Sequence, residues 1–83
     1  MSADRELFVR FAHRDDRPVA RLRAIDRGVD CIVEADVWPP GTPAGQPVRT
    51  GSYAFRDAGE ATRFVTSAVE ALIALGCDVR AAA

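Results

Sequence analysis

The chain has 83 residues, of which 48% are hydrophobic and 28% are charged, and its formal net charge is -1 at pH 7. This length predicts a single small domain over residues 1–83 with one modest core, and the charge argues against polyanion binding by bulk charge alone. No apolar run approaches the roughly 20 residues that span a bilayer, and no signal-peptide region is present, so we expect a cytoplasmic protein without a membrane partner.

The first predicted element is a strand over Leu7–Ala12, in which Leu7, Val9 and Phe11 share the apolar face. The loop Asp15-Asp16 follows and predicts a hairpin turn.

The stretch Val19–Arg27 allows two interpretations. As a helix it has Asp16 to cap it, Pro18 in its first turn and Gly28 to end it. As a strand, with Arg27-Gly28 as a second hairpin loop, it pairs with both neighbours so that one apolar face runs across three strands. The expected opposite pairs are Leu7 with Ala24, Val9 with Leu22, Phe11 with Ala20, Ala24 with Cys31, Leu22 with Val33 and Ala20 with Ala35. We adopt the strand and keep the helix as the alternative.

Two further strands complete the predicted sheet. Val29–Trp38 alternates apolar and polar residues cleanly and stops at Pro39-Pro40. The proline-rich stretch 39–47 is a loop, because proline cannot donate within a central strand. Arg49–Arg56 then resumes an extended pattern, with Tyr53 and Phe55 on the core side.

The C-terminal helix is the most clearly marked element. Asp57 and Glu60 form a capping-box pattern at its start, and Gly76 marks its end. Between these caps an apolar stripe with helical spacing predicts the buried face: Ala61, Phe64, Val65, Ala68, Leu72 and Leu75.

These elements predict an α+β fold, a four-stranded antiparallel sheet (β-β-β-β-α) with one C-terminal helix packed on one face. The alternative is β-α-β-β-α, with residues 17–27 helical. The strand order resembles that of small single-stranded DNA-binding folds of the whirly type, but only in topology, and no signature residues match.

The sheet face that the helix leaves uncovered is the candidate interaction face. It is expected to combine aromatic, arginine, acidic and apolar groups: Phe8, Arg10, Arg21, Arg23, Ile32, Glu34, Trp38 and Arg56. Mixed charges and apolar groups favour a two-fold contact of this face with itself, in which Arg21 or Arg23 of one copy meets Glu34 or Asp36 of the other. We therefore expect a homodimeric interaction or structural module that also accommodates a protein partner. The alternative is a module that binds single-stranded nucleic acid, which the carboxylates within the patch make less favourable.

The sequence proposes no enzyme, cofactor or metal site. His13 is the only histidine, beside a loop, and no nucleophile motif accompanies it. Cys31 and Cys77 lack a CxxC pattern, so we expect reduced structural residues, although a reactive thiol at Cys77 stays open. The loop at Trp38-Pro39-Pro40 is expected to be a connector, with a peptide groove or a polyproline ligand as alternatives.

Overall fold

The computed structural model describes residues 4–41 and 46–81, and it contains one helix and five strands there. The elements are β1 (Arg5–Arg14), β2 (Arg17–Asp26), β3 (Cys31–Val37), β4 (Val48–Phe55), α1 (Ala58–Ala74) and β5 (Asp78–Ala81). All neighbouring strands are antiparallel, and their order across the sheet is β4-β3-β2-β1-β5. The predicted α+β class, with an antiparallel sheet and a C-terminal helix, is confirmed.

Two parts of the predicted topology are settled by this sheet. The segment Arg17–Asp26 is a strand paired on both sides, so the helical alternative for residues 17–27 is wrong. The count of four strands is also wrong, because Asp78–Ala81 pairs with β1 and adds a fifth strand. This tail reaches the sheet because the chain reverses at the end of α1 and places Val79 opposite the buried Ala12.

The predicted caps set both ends of α1. Asp57 accepts a hydrogen bond from the Glu60 backbone N–H at 2.9 Å, and the Glu60 carboxylate accepts one from the Arg56 N–H at 2.9 Å. At the other end Gly76 has a φ of 93°, its N–H donates to the Ile73 carbonyl, and the Cys77 N–H donates to the Leu72 carbonyl. This pair of bonds is a Schellman motif, which requires the left-handed conformation that glycine adopts without strain.

The core lies between α1 and one face of the sheet. Its buried cluster joins β2, β3 and α1 and consists of Leu22, Ala24, Cys31, Val33, Ala61 and Val65. Phe64 packs against this cluster, with its ring centroid 5.1 Å from Phe55 and 5.3 Å from Tyr53. The predicted helical stripe is therefore the packed face, except at Leu75, which is 69% exposed beyond the helix end.

The second hairpin keeps the predicted faces in a different register. In the structure Leu22 lies opposite Ala35, and Ala24 lies opposite Val33. The predicted register instead pairs Leu22 with Val33. The connection is longer than expected, since the Arg27 N–H donates to the Asp30 carbonyl. The register therefore shifts by two residues, and a shift of two preserves which side chains face the core.

The first hairpin differs in a way that does exchange the faces. Its two-residue loop is as predicted, with φ values of 52° and 60° at Asp15 and Asp16. The register of the β1–β2 pair then shifts by one residue between Ala12 and His13, because Val19 is an extra residue on β2. It shifts back between Glu6 and Phe8, because Leu7 is an extra residue on β1.

Between these two irregularities Phe8 lies opposite Ala24, and Arg10 lies opposite Leu22. A slip of one residue sends alternate side chains to the other face. Phe8, Arg10 and Ala12 thus share the helix side, and Val9 and Phe11 lie on the opposite side, so the predicted inward placement of Val9 and Phe11 is wrong.

α1 crosses the sheet from one edge to the other, because it joins β4 at one edge to β5 at the opposite edge. Seventeen residues give a helix of about 25 Å, and the four strand spacings to be crossed total about 19 Å. Because the helix is only about 10 Å wide and β1 and β2 are each ten residues long, it leaves parts of its own side of the sheet uncovered. One lies beside Phe8 and Arg10, where a cleft of about 410 Å³ opens, and another lies at β4, where Val48 is 51% exposed.

Candidate interaction surface

We call the sheet side opposite α1 the open face. The pairing registers place its members in rows across neighbouring strands. They are Glu6, Val9, Phe11, Arg21, Arg23, Ile25, Ile32, Glu34, Asp36, Arg49, Ser52 and Ala54. Val9 and Ile25 are buried on this side although no helix covers it, which fits arginine stems lying over apolar side chains.

An ion-pair network runs across the open face from β1 to β4. Arg23 on β2 donates from Nε to the Glu6 carboxylate at 2.7 Å, and its Nη1 lies 3.3 Å from Glu34 Oε1. Arg49 on β4 donates from Nη1 to the other oxygen of Glu34 at 2.8 Å. Glu34 therefore bridges two arginines that lie on the strands at either side of it.

Asp36 is the buried member of the network, with only 3% of its surface exposed. It accepts hydrogen bonds from Arg49 Nε at 2.7 Å and from Arg21 Nε at 3.0 Å. Arg21 also stacks over the Trp38 ring, with its Cζ atom 5.9 Å from the ring centroid. Two arginines, one on each neighbouring strand, thus enclose a single carboxylate.

Electrostatics keep this carboxylate ionised. Burial alone disfavours the charged form of Asp36, but the hydrogen bonds from Arg21 and Arg49 outweigh burial and hold its pKa below the ordinary value. The same contact with Asp36 raises the pKa of Arg49. The network joins three guanidinium groups to three carboxylates, so it presents no net charge.

The structure brings together part of the predicted interaction face. Arg21, Arg23, Ile32 and Glu34 lie on the open face, and Trp38 borders it through its contact with Arg21.

Three residues of the predicted face lie elsewhere. Phe8 and Arg10 are on the helix side, where the Arg10 guanidinium lies 4.9 Å above the Phe8 ring, so their placement on the open face is wrong. Arg56 pairs with Glu60 at the start of α1, with 3.1 Å between Nη2 and Oε2, and does not join the network.

Arg49, the residue that links both acidic positions of β3, is not among the predicted face residues. Strict alternation from Tyr53 places Arg49 on the helix side. The β3–β4 register slips between Ala35 and Asp36, so that Gly51 faces Ala35 and Arg49 faces Asp36. The extra residue at position 50 moves Arg49 to the open face. Gly51, which directly follows that residue, is the signal in the sequence that could have indicated the bulge.

Among the described residues, His13 Nδ1 and Trp38 Nε1 are buried at the border of the open face without a hydrogen-bond partner there. His13 is half-buried in β1, with its ring centroid 6.2 Å from that of Phe11. Beside Trp38 lies a pocket of about 200 Å³ that includes Pro18, Pro39 and Pro40 in its lining.

The described residues offer no group of three or more His, Cys, Asp or Glu side chains that could hold a metal ion. Cys31 is a buried free thiol whose pKa is raised by burial, which makes a thiolate nucleophile unfavourable there. Cys77 is also free and is partly exposed.

Comparisons of the chain with protein-family models, with curated proteins and with solved structures find no match. Within residues 4–41 and 46–81, no helix has the length and apolar character needed to cross a membrane.

Proposed function

We propose that this chain is a small non-catalytic module that works by protein contact as a homodimer, with the open face as the surface it presents to other proteins. The observation that carries the proposal is the ion-pair network of Arg21, Arg23 and Arg49 with Glu6, Glu34 and Asp36. The network pairs Arg21 and Arg23 with carboxylates of their own chain, so the expected ion pairs between two open faces are not part of the proposal. The long side chains instead form an ordered, neutral surface for other proteins.

A surface of this kind suits a protein partner better than a phosphate backbone. Binding to nucleic acid requires arginines that are free to replace counterions at the phosphates. Arg21 and Arg49 already donate to Asp36, and Glu34 would lie close to any phosphate placed between them. Apolar groups such as Ile32 and Phe11 lie at either side of the network and supply the contact area that protein interfaces use.

The second candidate, a module for single-stranded nucleic acid, is favoured by one observation. Trp38 borders the open face with an arginine over its ring, and aromatic groups beside arginines support base stacking. Arg21 is committed to Asp36, whereas the exposed Arg14 and Arg17 line the pocket beside Trp38 and lie near any base stacked there.

Trp38 fluorescence distinguishes the two functions, because Trp38 is the only tryptophan of the chain. A mixed-sequence single-stranded oligonucleotide is titrated into the protein at about 50 mM and about 200 mM salt, a range over which phosphate-driven binding weakens strongly. Protein contact predicts no saturable change at either salt. Saturable quenching that weakens steeply at the higher salt would replace the proposal with the nucleic-acid function.

We include a cytoplasmic location in the proposal. Both Cys31 and Cys77 are free thiols, which is usual in a reducing compartment.

A further inference from the structure

Within residues 4–41 and 46–81 the sheet exposes three strand edges, which differ in how they are protected. Unpaired backbone groups at a strand edge invite pairing with another chain, and proteins usually block such edges with charges, bulges or short strands. β5 has only four residues and carries the exposed Asp78 and Arg80. The part of β1 that β5 leaves unpaired includes Arg5, Glu6 and the irregularity at Leu7.

The outer edge of β4 lacks these protections over Gly51–Phe55. This segment reads Gly-Ser-Tyr-Ala-Phe, without a charge or a proline, and its pairing with β3 is regular from Gly51 to Phe55. β4 pairs with β3 alone among the described strands. Tyr53 is 42% exposed, and Val48 nearby is also exposed. This edge is therefore the one most suited to accept another strand.

We propose that the β4 edge of one chain pairs antiparallel with the β4 edge of a second copy, in a register centred on Tyr53. This inference rests on the homodimer of the proposed function and names the contact that forms it. The pairing joins two five-stranded sheets into one of ten strands.

The sequence of the segment is self-complementary in that register. Tyr53 faces its own copy, Gly51 faces the partner's Phe55, and Ser52 faces the partner's Ala54. Each pair joins residues of the same sheet face, since Gly51, Tyr53 and Phe55 lie on the helix side, and Ser52 and Ala54 on the open face. The Tyr53 ring already covers Gly51, where an added Cβ would lie 2.5 Å from the ring. A partner's aromatic ring opposite Gly51 would therefore meet another ring.

Neighbouring registers are less favourable. A one-residue slip pairs side chains of opposite faces. A register centred on Ser52 brings the bulged position 50 into the pairing, and one centred on Ala54 places Arg56 opposite Ser52. Only the register centred on Tyr53 keeps all five pairs within the regular, uncharged segment.

The assembly closes as a dimer, because each chain offers one unprotected edge and a two-fold axis uses both. The axis stands perpendicular to the sheet, so the two open faces lie side by side. Five residue pairs extend over about 17 Å, which makes the contact small and predicts a dimer in the micromolar range.

Two double variants test the contact and its register. In Ser52→Lys/Ala54→Lys the introduced lysines face each other across the two-fold axis, whereas in Ser52→Lys/Ala54→Glu each lysine faces a glutamate. Both positions are exposed, and circular dichroism checks that both variants keep the fold. We expect the first variant to raise the dimer dissociation constant at least about tenfold and the second to leave it near that of the unchanged protein, measured by sedimentation equilibrium.

Each other outcome overturns a specific statement. An unchanged protein that stays monomeric would remove the homodimer of the proposed function. If the unchanged protein dimerises and Ser52→Lys/Ala54→Lys dimerises equally well, the β4 contact is wrong while the homodimer stands. If both variants dissociate to the same extent, the register centred on Tyr53 is wrong.

Discussion

Asp36 is the residue on which the open face depends most, because it is buried and joins the arginines of two strands. Removing its charge leaves Arg21 and Arg49 without their strongest acceptor. We expect Asp36→Asn to lower the free energy of unfolding by about 1.5–3 kcal/mol, the usual range for hydrogen bonds to charged groups. Urea unfolding measures the change.

Glu34→Gln is the matched control for this variant. Glu34 is more exposed than Asp36, and Arg49 keeps its hydrogen bond to Asp36 when Glu34 is neutral. The loss should therefore be smaller, below about 1 kcal/mol, as for exposed ion pairs. Equal losses in the two variants would show that Asp36 is not the centre of the network.

The lowered pKa of Asp36 also predicts how stability depends on pH. A carboxyl group whose folded-state pKa lies below its unfolded value of about 3.9 stabilises the fold above that value. The contribution is lost as the pH falls through the lower folded-state pKa. Urea midpoints measured from neutral pH into the acid range should fall below about pH 4, and less steeply in Asp36→Asn. The same acid dependence in both proteins would contradict the assigned role.

At the scale of the elements, the ends of α1 could be predicted from the sequence, whereas the faces of β1 could not. Helix caps depend on residues that are close along the chain. Asp57 and Glu60 cap the start of α1 and Gly76 ends it, each at the position that the sequence predicts. The faces of β1 depend on two register slips, at Val19 and Leu7, and the second slip reverses the first.

The candidate site, likewise, could be predicted from the sequence only in part. Arg21, Arg23 and Glu34 followed from alternation in unbroken strands, whereas the bulge at position 50 concealed Arg49. Alternation assigns faces only where the pairing is regular.

The corrected faces change the expected effect of two core variants. Phe64→Ala should cost about 3 kcal/mol, because Phe64 contacts Phe55 and Tyr53 in the core. If Phe8 lay on the open face, as the sequence predicted, Phe8→Ala would cost far less than Phe64→Ala. Phe8 instead packs against the core cluster, so we now expect a loss of similar size, about 2–3 kcal/mol. Unfolding by urea compares the two variants, and a nearly neutral Phe8→Ala would contradict the register of β1.

At the scale of the whole molecule, the diagonal path of α1 links the fold to the proposed assembly. The helix joins the two outer strands and leaves the far end of β4 uncovered, where Val48 is exposed. Tyr53 packs against Phe64 of the helix and is still 42% exposed at the unprotected edge. The opposite face is filled by a neutral ion-pair network. The outer edge of β4 is thus suited to pairing with a second copy. The open face remains available for other proteins.

Sedimentation equilibrium of the unchanged protein over a wide concentration range shows whether the chain forms a homodimer. We expect an average mass that rises from the 9.0 kDa of one chain toward twice that value, with a midpoint in the micromolar range, and then stays level. A mass that remains at 9.0 kDa up to the highest concentration would contradict it.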